Sequence, residues 1–304
     1  MKSLTAIFIA AAASFFLACS SFSQAPVPLK KELIDFNRPL SPGMAFRCDA
    51  ETKTEMSYLI RVLGEEPQPP KKDSVSAKLA ATLLVLSVNN AGNPASIELK
   101  IESLSGSING KSFDFTSLSG ASVVADLSSK PCKFSLKPAM EPLDQNAAKI
   151  LSSVFRPASE CGLKDIMDPG RPVAIGESWT PPLALFASIL KKTRGLSIPE
   201  SKIKATATLE SKGEDDGIMC WRIRERIESK PIDGLDFRFE IAISLPVDPA
   251  LGGAIRISRT GIEVVNRPLP ADNPVSIAKE IEAVSQDSMS ASLVPVKTKA
   301  AAAR

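Results

Sequence analysis

The chain is predicted to be mainly β, within the α+β class: antiparallel β-meanders with two central helices. Three observations point there. Apolar and polar residues alternate over short runs, as in Ile97-Glu98-Leu99-Lys100-Ile101-Glu102 and Asp236-Phe237-Arg238-Phe239-Glu240-Ile241. Turn-forming residues separate such runs, as in Asn89-Asn90-Ala91-Gly92-Asn93-Pro94 and Gly213-Glu214-Asp215-Asp216-Gly217. Helical spacing of apolar residues is clear in only two mid-chain segments.

The chain opens on Met1-Lys2, and Leu4 to Leu17 is apolar except for Thr5 and Ser14. A membrane span needs about 20 residues. Residues 1–19 therefore read as a secretory signal. Ala18-Cys19 fits lipid attachment at Cys19, although Leu17 stands where a small residue is usual. Ser21-Phe22-Ser23 fits plain cleavage instead. Either fate places the chain outside the cytoplasm, as an outer-membrane lipoprotein or a periplasmic or secreted protein. Membrane association would then run through the lipid anchor. Residues 20–40, with Pro26, Pro28 and Pro39, read as a Pro-rich tether.

Residues 41–296 read as the β-rich domain. Strands are expected over 44–51, 55–62, 77–88, 97–102, 112–115, 121–127 and 133–136, with a loop over 63–74. Asp144 caps the first helix, whose apolar side is Ala147, Ile150, Leu151 and Val154, and Pro157 ends it. The second helix starts at Thr180-Pro181, carries Leu183, Phe186, Ala187 and Leu190, and stops at Gly195. Strands resume over 202–210, 218–228, 236–245, 254–258 and 261–266. Residues 275–293 fit a helix through Ile277, Ala278, Ile281 and Val284, and a strand through Met289, Ala291 and Leu293. Residues 297–304 read as a disordered tail.

Two phrases read alike. Ile101-Glu102-Ser103 precedes Gly110-Lys111-Ser112-Phe113-Asp114-Phe115, and Ile227-Glu228-Ser229 precedes Gly234-Leu235-Asp236-Phe237-Arg238-Phe239. They suggest one meander used twice, over 41–157 and 172–296. Such copies would bury their apolar faces against each other, as facing sheets or a half-open barrel, with helices on the open side.

Composition removes several chemistries. The chain has no histidine, so Ser-His-Asp and Cys-His catalysis and histidine metal sites are excluded. A net charge of +3 over 304 residues gives no footprint for nucleic acid. Beyond Cys19, the cysteines are Cys48, Cys132, Cys161 and Cys220. In an oxidising compartment they permit two disulfides, and as small core residues they equally suit free thiols. No Cys-x-x-Cys occurs, and no cofactor or metal is expected. The remaining catalytic options are Ser188/Lys191 and the carboxylate pairs Glu65-Glu66 and Asp215-Asp216. Adjacent acids in turns are normally solvated.

Arg222, Arg224 and Arg226 share one face of a strand, with Trp221, Ile223 and Ile227 on the other. The arginine row could take an anionic ligand. The plainer expectation is pairing with acids of the next strand, such as Asp236 and Glu240.

The phrase Pro172-Val173-Ala174-Ile175-Gly176-Glu177-Ser178-Trp179 reads as a glycine turn followed by a buried anchor, Trp179. It resembles a Pro-Val-x-x-Gly-Asp/Glu-Ser-Trp phrase in a group of uncharacterised bacterial secreted proteins and lipoproteins. The resemblance implies an extracytoplasmic β-rich protein and no catalytic residues. The expected function is non-enzymatic binding of an apolar ligand or envelope component. A carboxylate- or Ser/Lys-dependent hydrolase and a structural or adhesion module are the alternatives.

Overall fold

A computed structural model describes residues 30–62, 69–158, 161–184, 187, 198–229, 235–268 and 278–296. The segment read as a signal, Cys19, Glu65-Glu66, Ser188, Lys191, the segment read as a tail and most of the second predicted helix lie outside these residues.

The elements in chain order are β1 (Lys31–Glu32), β2 (Ala45–Val62), β3 (Lys71–Val88), β4 (Pro94–Ile108), β5 (Lys111–Asp114), β6 (Ser122–Asp126), β7 (Lys133–Leu136) and β8 (Glu141–Pro142). Helices α1 (Gln145–Val154) and α2 (Leu163–Met167) follow. Then come β9 (Val173–Ala174), β10 (Ser178–Trp179), β11 (Ile203–Asp215), β12 (Ile218–Ser229), β13 (Leu235–Pro246), β14 (Arg256–Pro268) and β15 (Ala278–Pro295). Most strands form one 13-stranded antiparallel sheet, in the order β10-β11-β12-β13-β14-β15-β2-β3-β4-β6-β7-β8, with β5 also on β4. β1 pairs with β9 separately.

The mainly β, antiparallel character matches the expectation. Of the two arrangements expected for the halves, facing sheets are not found: the halves meet edge to edge in one open sheet, not face to face. The join is β15, the stretch whose sequence fits both helix and strand. It pairs with β2 from Ala278↔Val62 to Pro295↔Phe46. This pairing gives both strands a neighbour on each side, and the apolar faces of the halves become one face. Leu104, Leu79, Ala50, Ala291, Ile257, Ile243, Ile223 and Leu209 lie opposite one another in a single row across eight strands. Period-two alternation, interrupted by bulges at Ala80/Ala81 and Leu209/Ser211, fixes this register, because a one-residue slip would turn a strand's apolar set to solvent. The sheet ends on strands of two residues, β10 and β8. Edges this short offer little template for another chain. The look-alike phrases do fall on two hairpins, but β5 has 4 residues and β13 has 12.

One face of the sheet is therefore packed and the other is polar. Three pieces cover the packed face. The first is α1, on β2, β3 and β4. It begins where expected: the Asp144 carboxylate accepts from the amides of Asn146 (2.9 Å) and Ala147 (3.1 Å). Its buried residues are Ala147, Ile150, Leu151 and Val154. Asp144→Ala should cost about 1 kcal/mol, read by urea unfolding, since two amides lose their acceptor. A change below the error of that measurement would show that solvent replaces the cap.

The second piece corrects the tether reading of residues 20–40. Ile34 and Phe36 are fully buried beside Trp179, Trp221 and Ile223, together with Met167 of α2. The alternation Ile34-Asp35-Phe36-Asn37 is the mark of a packed segment, so residues 31–40 belong to the domain. The short helix α2 has no clear sequence signal. The third piece is Leu183, Ala187 and Ile198, which pack with Ile203, Ala205, Ile227 and Phe237.

Candidate ligand-binding face

On the polar face, every arginine of the sequence-predicted row has an acid. Arg222 donates to Asp215 at 2.8 and 3.2 Å and to the Glu214 carbonyl at 3.0 Å. Arg224 bonds to both Glu210 and Glu240, and Arg226 donates to Glu240 at 3.0 Å. Glu240 is thus a partner as expected. Asp236 is not: it lies opposite Val264, further along β13. Glu210 of β11 and Asp215 of the acidic turn supply the other partners, and in the same turn Asp216 accepts from Arg256 at 2.8 and 3.0 Å.

These bonds hold the Asp215, Asp216 and Glu240 carboxyls below their usual range. Asp215 and Asp216 therefore stay ionised and arginine-bound, which suits neither to proton donation. A groove of about 520 Å³ runs over this face, lined by Arg222, Arg224, Arg256, Ser244, Ser258 and Ser292 among others. Its guanidinium charge is already neutralised, so it offers an anion little.

The Gly176–Trp179 phrase forms a clasp. Gly176 takes φ +84°, a left-handed conformation that favours glycine. Its amide donates to the Leu209 carbonyl at 2.7 Å, and the Leu209 amide returns a bond to Glu177 at 3.1 Å. Trp179 is 6 % exposed, and its indole N–H donates to the Met167 carbonyl at 2.8 Å. Phe36 meets the ring edge-on at 6.5 Å.

Cys48, Cys132 and Cys220 are buried free thiols, and Cys161 is half-buried. Burial pushes the thiols of Cys48 and Cys220 up to about 12 and about 11. Both are consequently unreactive core residues at neutral pH.

The packed face carries the feature that the sequence reading passed over. One row below the apolar row, the opposed residues are Thr52, Met289, Arg259, Ile241, Glu225, Ala207 and Trp179. Glu225 is 3 % exposed and has no hydrogen-bond or ionic partner among the described residues. Burial pushes its carboxyl up to about 7. It sits where two covering pieces meet: Ile223 and Leu209 pack in the cluster with Trp179, Ile227 and Ala205 in the cluster with Leu183.

Arg259 pairs with Asp287 on the same face, and its Nε is buried without a partner. Thr52 shares a bond of 2.8 Å with Ser153 of α1. Ile241, Ile257 and Met289 are only half-buried. Among the described residues, the middle of the packed face is thus less covered than its two sides, and it holds the charged groups of Glu225, Arg259 and Asp287. Parity alone would have found Glu225, since it shares the inward side of β12 with Ile223 and Ile227. Among the described residues no cluster of three acidic or thiol groups could hold a metal ion.

No known family's sequence profile matches the chain, and no curated protein matches it either. Solved structures show loose likenesses. Lipovitellin is 9% identical at a TM-score of 0.30, over 87% of this chain and 27% of that one, so the chain spans about a quarter of lipovitellin's length. An outer membrane channel from Pseudomonas putida F1 is 9% identical at a TM-score of 0.20, covering 87% of this chain and 100% of that one. OpdQ of Pseudomonas aeruginosa is 5% identical at 0.18, covering 83% and 98%. Scores this low carry no argument about what the chain binds.

Proposed function

We propose that this chain is a non-enzymatic, extracytoplasmic β-rich protein, secreted or lipid-anchored at Cys19, that binds an apolar ligand or envelope component. The packed face of the sheet is its binding surface. The observation that carries the reading is the half-buried middle of that face, where Ile241, Ile257 and Met289 lie between two well-covered sides. An apolar face under a cover made of separate short pieces can admit a ligand by shifting one piece, whereas a second sheet would have to separate along its length. The leader and the resemblance of the Gly176–Trp179 phrase to secreted proteins and lipoproteins support the address.

The test is titration of the purified, folded chain with Nile red, a neutral polarity-sensitive dye. Saturable one-to-one binding, reversed by 1-dodecanol, is expected. Emission that rises without saturation, or that dodecanol leaves unchanged, would overturn the reading.

A further inference from the structure

We propose that the ligand is an amphiphile bearing a primary ammonium head group, and that Glu225 is the counter-charge for that group. The inference rests on the apolar-ligand reading and names the ligand's chemistry.

A carboxyl at 3 % exposure with no partner among the described residues is costly, because burial strips most of its water and no described group replaces it. The neighbours opposite it, Ala207 and Ile241, have no polar side-chain atom. The adjacent rows place Leu209, Ile223 and Ile243 on one side and Ala205, Ile227 and Phe239 on the other. Glu225 is held inward because any slip of β12 would expose Ile223 and Ile227.

The sign of the missing partner follows from charge. Arg259 lies on the same row, two strands away, which is about 10 Å at the usual strand spacing. Asp287 already neutralises it. With Arg259 already matched by Asp287, Glu225 is left as a negative charge without a counter-charge among the described residues, so its missing partner is a cation. Lys212 is held elsewhere, over the Trp221 ring and near Glu32. An ammonium has three donors, enough to serve the bare carboxylate. A hydrocarbon tail would lie along the half-buried Ile241, Ile257 and Met289.

The experiment compares dodecylamine, 1-dodecanol, dodecanoate and propylamine, each below its micellar concentration, by calorimetry at pH 7.5 on the full mature chain and on Glu225→Gln. Dodecylamine should bind at least tenfold more tightly than dodecanoate. Glu225→Gln should lose that preference yet keep its affinity for dodecanol, which shows that the variant is folded. The net charge, +3 over the full sequence and +2 once Lys2 leaves with the leader, favours dodecanoate, so the preference would have to come from the site. Dodecanol binding with no amine preference, or a preference that survives Glu225→Gln, overturns this inference and leaves the apolar-ligand reading standing. Propylamine binding as tightly as dodecylamine overturns it too, since no tail would be involved. Binding of none of the C12 compounds overturns both readings.

Discussion

Replacing Trp179 with Ala should remove about 4 kcal/mol of unfolding free energy, within the range seen when a buried tryptophan is truncated. Three losses combine. The indole is 6 % exposed, and its removal leaves a void among Phe36, Met167 and Leu209. The Met167 carbonyl loses its 2.8 Å donor. The edge strand β10, only two residues long, loses the side chain that holds it down. Trp179→Phe separates these effects. It keeps most of the ring packing and should cost about 1–2 kcal/mol for the orphaned carbonyl and the smaller ring. Urea unfolding followed by circular dichroism reads both. A cost below 1 kcal/mol for Trp179→Ala would show that β10 and its clasp are peripheral. The consequence reaches beyond β10, because Phe36 leans on the indole. Residues 31–40 should become protease-sensitive in the alanine variant before the rest of the domain does.

Much of the fold is legible in the sequence, because period-two alternation is a local signal and most strands here bury one face. Ile97, Leu99 and Ile101 alternate with acids and lysine, and β4 follows. Asp144 before a helical stripe gives α1 and its cap. Three features were not legible, each for a physical reason. β15 carries small residues on both sides, Ser288, Ser290 and Ser292 opposite Met289 and Ala291, and Ser285 on the same side as these two, so its alternation is weak and helical spacing competes. Its place at the centre of the sheet is a long-range pairing with β2 that no local pattern encodes. The packing of residues 31–40 was hidden by proline content, which marks tethers and strapped segments alike.

The candidate site was less legible than the fold. The arginine row on the polar face draws attention because its charges repeat, yet each charge is satisfied. The informative residue is a single acid on the wrong side of the same strand. A sequence shows Glu225 only as one charge in Arg222-Ile223-Arg224-Glu225-Arg226, where it looks like part of a solvated stretch. Parity says otherwise, and burial in the folded chain converts that parity into chemistry.

Glu225 should make the unliganded protein less stable as pH rises from about 4.5 to about 7. Its carboxyl has an ordinary value of 4.5 and is pushed up to about 7 in the folded chain by burial alone. An acid raised in this way binds its proton more tightly when folded. Its favourable contribution is complete below the unfolded value and is lost as pH climbs through the folded one. The interval from 4.5 to about 7 is worth about 3 kcal/mol. The arginine-bound carboxyls of Asp215, Asp216 and Glu240 act in the opposite sense, because theirs are lowered. Their contribution is present above the ordinary carboxyl range and is lost only on acidification below it. The two limbs therefore fall in separate windows. Urea unfolding at pH 5 and pH 8 should show the native chain losing about 2.5 kcal/mol, since the first part of the loss precedes pH 5. Glu225→Gln, which has no proton to lose, should show none of that decline. An equal decline in both proteins would assign the effect to other groups and return Glu225 to an inert core position. A decline that dodecylamine abolishes in the native chain would instead tie the instability to the counter-charge it lacks: the carboxylate is costly only while nothing cationic lies against it.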